Sequence, residues 1–284
     1  MLASTFVAEK YADVEAALRA AVALPDVAEL GLGSLAALRK HPDLQDVQRI
    51  GGGGMGAVYR ARHEGLAQRV AIKVLRPDSG DGDGMRRLRR EAQTLARIHH
   101  PQVVRFLFVD EIEGCVLLGM ELLEGVTLDR WCEQESPPVD ARRDLLLAAG
   151  EGLAATHRAG FVHRDFKPSN VMVRAAAEGD TNRGRACLID FGLARTIQRA
   201  GQGTLGTITR TGGVVGTEGY MAPEQAQGGR GDARSDQYSF ARTALELLGD
   251  GVAAELAPAL EAEPSARFAD METLLNRLRS VRLP

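Results

Sequence analysis

The chain has 284 residues, 44% of them hydrophobic, enough for one large domain or two small lobes around a real core. With 35 basic and 38 acidic residues the net charge is −3, so no global field draws it to nucleic acid or to an anionic membrane. Cys115, Cys132 and Cys187 lack CxxC or metal-ligand spacing, which fits free thiols in a reducing compartment, and no apolar run approaches a membrane span.

At the N-terminus, Glu9, Lys10, Asp13 and Glu15 interrupt any signal peptide, so the expected location is cytoplasmic. Val7, Tyr11, Val14, Leu18 and Ala21 recur at four- and three-residue steps and predict a helix with one apolar face, stopped by Pro25. Gly31, Gly33 and Ser34 lead into a second short helix, Leu35 to Lys40, closed by His41-Pro42. Residues 1–45 thus read as an N-terminal helical extension, either a regulatory docking element or a packing extension.

Val47 and Ile50 flank the end of a first strand. Gly51, Gly53, Gly56 and Val58 then fit G-x-G-x-x-G-x-V, and missing side chains let backbone amides approach phosphate oxygens closely. The alternating run Ala57 to Ala61 continues as strand, where a dinucleotide-binding fold would open a helix. Val70-Ala71-Ile72-Lys73 is a short apolar strand ending in a lysine. Met85, Leu88, Ala92 and Leu95 mark one helix face, and Glu91 lies on it. A carboxylate among apolar neighbours needs a cation; Lys73 is one candidate, and Arg86, Arg87, Arg89 and Arg90 are the others.

Two strands follow, Val104 to Val109 and Cys115 to Met120, and then a Leu- and Ala-rich helix over 139–159. That helix delivers His163-Arg164-Asp165-Phe166-Lys167-Pro168-Ser169-Asn170, before an apolar strand Val171-Met172-Val173. Within this loop Asp165 can accept a proton from an attacking hydroxyl. Lys167 can hold the oxygens of a transferring phosphoryl group, and Asn170 can offer its side-chain oxygen to a metal ion. Cys187-Leu188-Ile189 leads to Asp190-Phe191-Gly192, where Asp190 is a hard oxygen ligand suited to magnesium. Residues 195–220 are rich in glycine and threonine and lack periodicity. Met221-Ala222-Pro223-Glu224 follows, then Ser235 to Phe240, which opens a helix expected to be buried on all sides with Leu245, Leu247 and Leu248. Pro264 to Phe268 precedes a last amphipathic helix marked by Met271, Leu274, Leu275 and Leu278.

In this order and spacing the motifs resemble those of the eukaryotic-type protein kinases, most nearly the bacterial Ser/Thr kinases, over about residues 45 to 280. The likeness rests on the glycine loop, V-A-I-K, H-R-D-x-x-x-x-N, D-F-G, A-P-E and the run Pro264 to Phe268, with His100 to Val104 similar to HPNIV and Gly216 to Tyr220 similar to GTPGY. It implies an α+β, bilobal kinase-like domain over 46–284. A small antiparallel lobe would span 46–120 and a mainly helical lobe 124–284, with ATP and Mg2+ between them.

The resemblance implies that Lys73, held by Glu91, places the phosphates, and that Asp165 is the base beside Lys167. Asn170 and Asp190 would hold metal. Nucleotide contacts would come from Gly51, Gly52, Gly53, Gly54, Met55, Gly56, Val58, Ala71, Met120, Glu121, Leu123 and Met172. Phe191 would pack under the helix that carries Glu91. Asp236 would tie the catalytic-loop backbone, and Arg267 would pair with Glu224 inside the protein. Thr204, Thr207, Thr209 and Thr211 would lie in an activation segment facing Arg164, and Thr217 with Lys167 points to Ser/Thr of protein substrates. The alternative is a pseudokinase-like, ATP-binding signalling scaffold. The sequence departs from the family at Gln102, at Glu218 and in a shortened stretch between Asp236 and Arg267. That stretch has no room for the family's helix αG, which is expected to bare apolar surface. A regulatory partner could then sit there or at the N-terminal helices.

Overall fold

The computed structural model describes residues 35–53, 56–75, 82–175, 185–192 and 219–282, with the side chains of 82–85, 87 and 88 excepted. The first predicted helix, the loop tip Gly54-Met55, the candidate threonines and Glu218 lie outside the described residues. The chain divides into two compact units, Met1–Arg76 with Phe108–Leu122, and Pro77–Leu107 with Leu123–Pro284.

The first unit is built on β1 (Leu44–Gly53), β2 (Gly56–His63), β3 (Gln68–Leu75), β4 (Phe106–Ile112, whose first two residues belong to the second unit) and β5 (Cys115–Glu121), in the order β1-β2-β3-β5-β4. β2 alternates: Ala57, Tyr59 and Ala61 are buried while Val58 and Arg60 are half-exposed, the period of a strand with one covered face. β3 is central and buried from Val70 to Leu75, and its apolar run is continuous but for Lys73. Gly119 on β5 leaves room for the Phe108 ring, which would stand 2.0 Å from a Cβ at that position. The short helix 35–39 buries Ala37 and Leu38. His41 Nδ1 accepts the Asp43 amide at 3.2 Å, so its proton sits on Nε2, which donates to Asp110 Oδ2 at 2.9 Å. His41 precedes the edge strand β1 and Asp110 lies on the opposite edge strand β4. The described part of the extension is therefore a packing element that ties the two ends of the sheet together.

The second unit contains α1 (Gly82–Leu95), β6 (Gly125–Thr127), α2 (Leu128–Glu135), α3 (Val139–Arg158), β7 (Val171–Arg174) and β8 (Ala186–Leu188). It continues with α4 (Pro223–Ala226), α5 (Ala233–Leu248), α6 (Ala253–Leu256) and α7 (Met271–Ser280). β6, β7 and β8 form a small antiparallel sheet. α5 starts where Asp232 accepts the Arg234 amide at 2.8 Å and donates its own amide to Ser235 Oγ at 3.0 Å, satisfying donors that a helix start leaves open. No described helix is long and apolar enough to cross a membrane.

Three sequence expectations change. β4 begins at Phe106 instead of Val104, because Val104 donates its amide to Leu188 O at 2.9 Å and Leu188 donates to Gln102 O at 2.8 Å. Those bonds hold the segment after α1 against β8, and α1 groups with the second unit. α5 is not buried on all sides. Arg242 and Glu246, one turn apart, are exposed; Arg242 Nε donates to Gly219 O at 2.9 Å, and Glu246 meets the Tyr220 hydroxyl. Finally, αG is absent among the described residues as expected, but no bare apolar patch is left among them. The 3-10 turn Asp250–Val252, the four-residue α6 and the 3-10 turn Ala257–Leu260 bury Val252, Leu256 and Ala259 completely. Among the described residues Leu66 is the exposed large hydrophobic side chain, and it stands in the β2–β3 turn.

Gly119→Ala should overpack the sheet against Phe108 and lower stability by about 1–3 kcal/mol. Urea unfolding measures it, and an unchanged midpoint would refute the packing account.

Candidate active site

The second unit brings the loop His163–Asn170 onto a fully buried carboxylate. Asp236, in the first turn of α5, accepts the His163 amide on Oδ2 at 2.8 Å and the Arg164 amide on Oδ1 at 2.7 Å. His157 Nε2, from the last turn of α3, donates to Oδ2 at 2.7 Å. Burial alone would raise the Asp236 pKa; the His157 hydrogen bond and charge and the hydrogen bond from the His163 amide outweigh it and hold it low. Arg164 adopts φ 66°, a left-handed conformation that costs a non-glycine residue about 1–2 kcal/mol. Asp236 offsets that cost by holding the consecutive amides of His163 and Arg164, and Gln225 Nε2 donates to the Arg164 carbonyl at 3.2 Å.

His163 is fully buried. Its Nε2–H donates to Ile189 O at 3.1 Å while Nδ1 faces the Asp165 amide at 3.4 Å, the pattern of a neutral ring. Burial pushes its pKa down, against the raising charges of Asp236 and Asp165.

Asp165 is 8% exposed. Its Oδ2 accepts Asn170 Nδ2 at 3.1 Å and lies 3.2 Å from Lys167 Nζ. Asn170 Nδ2 also donates to the Asp165 carbonyl at 2.7 Å, and the short 3-10 turn Pro168–Asn170 sets that geometry. The structure thus gathers Asp165, Lys167 and Asn170. Asp190 joins through the backbone, because Ile189 donates its amide to Asn170 O at 3.0 Å. Asp190 has φ 57°, and the buried Phe191 ring packs against Phe106 and Phe161 at 5.9 Å and against His163 at 4.7 Å. Among the described residues no three His, Cys, Asp or Glu side chains form a ready cation cage. A magnesium ion carried on phosphates needs only one or two protein oxygens, however. The Asn170 amide nitrogen is engaged by Asp165, so its oxygen is the atom of that side chain suited to a cation, and Asn170 and Asp190 could together hold that ion.

The remaining predicted residues divide between the units. In the first, Gly51, Gly52 and Gly53 pair across the hairpin with Val58, Ala57 and Gly56. Lys73 stands between Val58 on β2 and Leu118 on β5 and is 6% exposed; Ala71 pairs with Met120, and Glu121 ends β5. In the second, Glu91 is half-buried on α1, Leu123 is half-buried before β6, and Met172 pairs with Thr127 and Cys187.

The expected interior ion pair is present. Arg267, its side chain fully buried, donates to both Glu224 oxygens at 2.8 Å and also to the carbonyls of Glu261 and Arg234. Ser235 Oγ donates to Glu224 Oε1 at 2.5 Å. Burial would raise the Glu224 pKa, but the Arg267 and Ser235 hydrogen bonds lower it. Sequence reasoning missed three members of this network: His157, Gln225, and Ser239, whose hydroxyl donates to Tyr220 O at 2.8 Å. His157 carried a signal, a titratable residue closing an Ala- and Leu-rich helix just before the loop. The other two look like ordinary polar residues.

The fold is that of solved protein kinase domains. The PknI kinase domain of Mycobacterium tuberculosis superposes with a TM-score of 0.66 at 25% identity, covering 86% of this chain and 98% of that one. The protein kinase domain family matches residues 44–255, and the chain belongs to that family. Its relatives include serine/threonine-protein kinase pkn2 of Myxococcus xanthus, 40% identical over 196 residues, 69% of this chain and 23% of the relative. PknB of Mycobacterium tuberculosis is 38% identical over 201 residues, 69% of this chain and 30% of the relative. The chain matches between 23% and 40% of the length of such relatives.

His163 and Asp236 give stability a defined pH dependence. Each has a lowered pKa in the folded state, so the unfolded chain binds the extra proton in the window below the ordinary value. The His163 contribution is complete above its ordinary 6.5 and fades as pH falls. The Asp236 contribution is complete above its ordinary 3.8 and fades below that. The thermal midpoint should therefore drop from pH 7 to pH 5, and the drop should be shallower in His163→Phe. Equal slopes for the two proteins would refute the assignment.

Proposed function

We propose that the chain is an ATP- and magnesium-dependent protein kinase that transfers the γ-phosphoryl group to Ser or Thr of protein substrates and phosphorylates its own activation segment. The observation that carries this reading is the Asp165 carboxylate, oriented on one oxygen by Asn170 and Lys167 in a loop tied to buried Asp236. The relatives' names, serine/threonine-protein kinases, support the substrate class.

Bound Mg-ATP supplies the phosphoryl group and the divalent charge that neutralises it. In this reading Asn170 and Asp190 hold the ion. Lys73, with Glu91, places the phosphates under Gly51 to Gly54, Met55, Gly56 and Val58. Ala71, Met120, Glu121, Leu123 and Met172 take the adenine. Asp165 orients the substrate hydroxyl and receives its proton, and Lys167 steadies the moving phosphoryl oxygens. Most of the rate gain comes from this positioning and charge neutralisation. Residues 46–120 and 124–284 act as the two lobes of one cytoplasmic kinase domain, with 1–45 as its extension.

Asp165→Asn should lower phosphoryl transfer by roughly 10²–10⁴-fold while nucleotide affinity stays near wild type, since a general base does not hold ATP. Asp190→Asn should also weaken magnesium-dependent nucleotide binding. Radiolabelled ATP with a generic protein substrate reads the first and nucleotide titration the second. Equal labelling by Asp165→Asn and wild type would defeat the enzymatic reading.

A phosphate on Thr209 or Thr211 would add nearly two negative charges for Arg164 to receive. Mass spectrometry after incubation with ATP should find phosphate within 196–217, and the triple variant Thr207/Thr209/Thr211→Ala should lose activity. Phosphate confined to other residues, or full activity of the triple variant, would defeat self-activation.

A further inference from the structure

Glycine inside a helix costs about 1 kcal/mol relative to alanine, so a mid-helix glycine calls for a reason. α3 contains two, Gly150 and Gly152, with different surroundings. A Cβ on Gly150 would meet side chains, Leu275 Cδ2 at 2.4 Å and Phe240 Cε2 at 2.9 Å. A Cβ on Gly152 would meet the Gln102 carbonyl oxygen at 2.7 Å and Leu188 Cδ1 at 3.0 Å. Side-chain ends can swing aside, but a main-chain carbonyl moves only with its segment.

That carbonyl is one rung of a ladder. Gln102 O accepts the Leu188 amide at 2.8 Å, and Val104 returns its amide to Leu188 O at 2.9 Å. Two residues beyond Leu188 stands Asp190, reached through Ile189, whose amide donates to Asn170 O and whose carbonyl accepts the His163 Nε2–H. In the opposite chain direction the segment runs back to α1 through Val103 N to His100 O, Ile98 N to Leu95 O and Ala96 N to Ala92 O. One close approach on α3 therefore holds both the strand leading to Asp190 and the root of the helix bearing Glu91.

We propose that Gly152 is a positioning residue for Asp190 and for the Glu91 helix: its missing side chain seats Gln102–Val104 and β8 on α3. The role in magnesium binding rests on the kinase reading; the seating does not. Gly152→Ala and Gly150→Ala form a matched pair, since both overpack the same helix and only the first presses on the ladder. Hydrogen exchange at Val104 and Leu188 should be roughly tenfold faster in Gly152→Ala and as in wild type in Gly150→Ala, beyond any global loss of stability common to the two. Gly152→Ala should also lose roughly ten- to a hundredfold in kcat/KM for ATP through a raised magnesium requirement. Gly150→Ala should lose stability and keep the wild-type magnesium dependence. Parallel changes in both variants, or no change in Gly152→Ala, would overturn the proposal. If wild type neither binds Mg-ATP nor transfers phosphate, the kinase reading fails and exchange still decides the seating. Should Gly152→Ala not fold, exchange in wild type decides instead: Val104 and Leu188 opening in one event supports the ladder, and separate opening overturns it.

Discussion

A carboxylate without solvent must be fully paired, and Asp236 meets that requirement only when the chain before Asp165 takes one conformation. Its partners are two consecutive backbone amides and one imidazole. Hydrogen bonds to a charged acceptor contribute about 1.5–3 kcal/mol each, more than the cost of the left-handed turn at Arg164. The strained loop is thus the lower-energy arrangement, and Asp165 is aimed as a consequence.

The same logic recurs beside Asp236 in the first turn of α5. Arg267 has no solvent, so its guanidinium is distributed over the Glu224 carboxylate and several main-chain carbonyls. Breaking such a pair leaves one buried charge uncompensated, which is costlier than the net value of the pair itself. α5 is therefore a largely buried helix whose first turns carry polar side chains. Asp236 and Ser239 each fasten a different segment, the base-bearing loop and Tyr220, while Ser235 braces Glu224. Its apolar residues, Phe240, Ala241, Ala244 and Leu247, anchor it in the core.

The parts of the site legible in the sequence were those whose chemistry is carried by side chains at fixed short spacing. Asp165, Lys167 and Asn170 sit within one loop, and Asp190 begins another, so local order nearly determines their proximity. The Asp236 tie and the Arg267–Glu224 pair were legible only through the family resemblance, since each joins residues far apart in sequence. What stayed hidden depended on main-chain bonding between distant segments. Val103 and Val104 have the composition of strand residues, and nothing local says that they bond to Leu188 instead of extending β4. The absence of αG was readable from length alone. The closure of the surface behind it was not, because it depends on Val252, Leu256 and Ala259 facing inward from turns too short to show periodicity.

Two non-glycine residues of the second unit's functional loops are left-handed, Arg164 at φ 66° and Asp190 at φ 57°. Such residues persist where surrounding bonds over-determine the backbone. For Arg164 the determinants belong to α5 and α4, through Asp236 and Gln225. For Asp190 they belong to the ladder on β8 and to the Ile189 bonds with Asn170 and His163. His163 stands in both sets: its amide is bound by Asp236, its ring holds Ile189 and its carbonyl accepts the Gly192 amide. A neutral, buried imidazole thus makes the loop of the base and the loop of the metal ligand depend on each other's geometry. Displacing either carboxylate loop would break bonds in the other, so the site holds or fails as one cooperative piece.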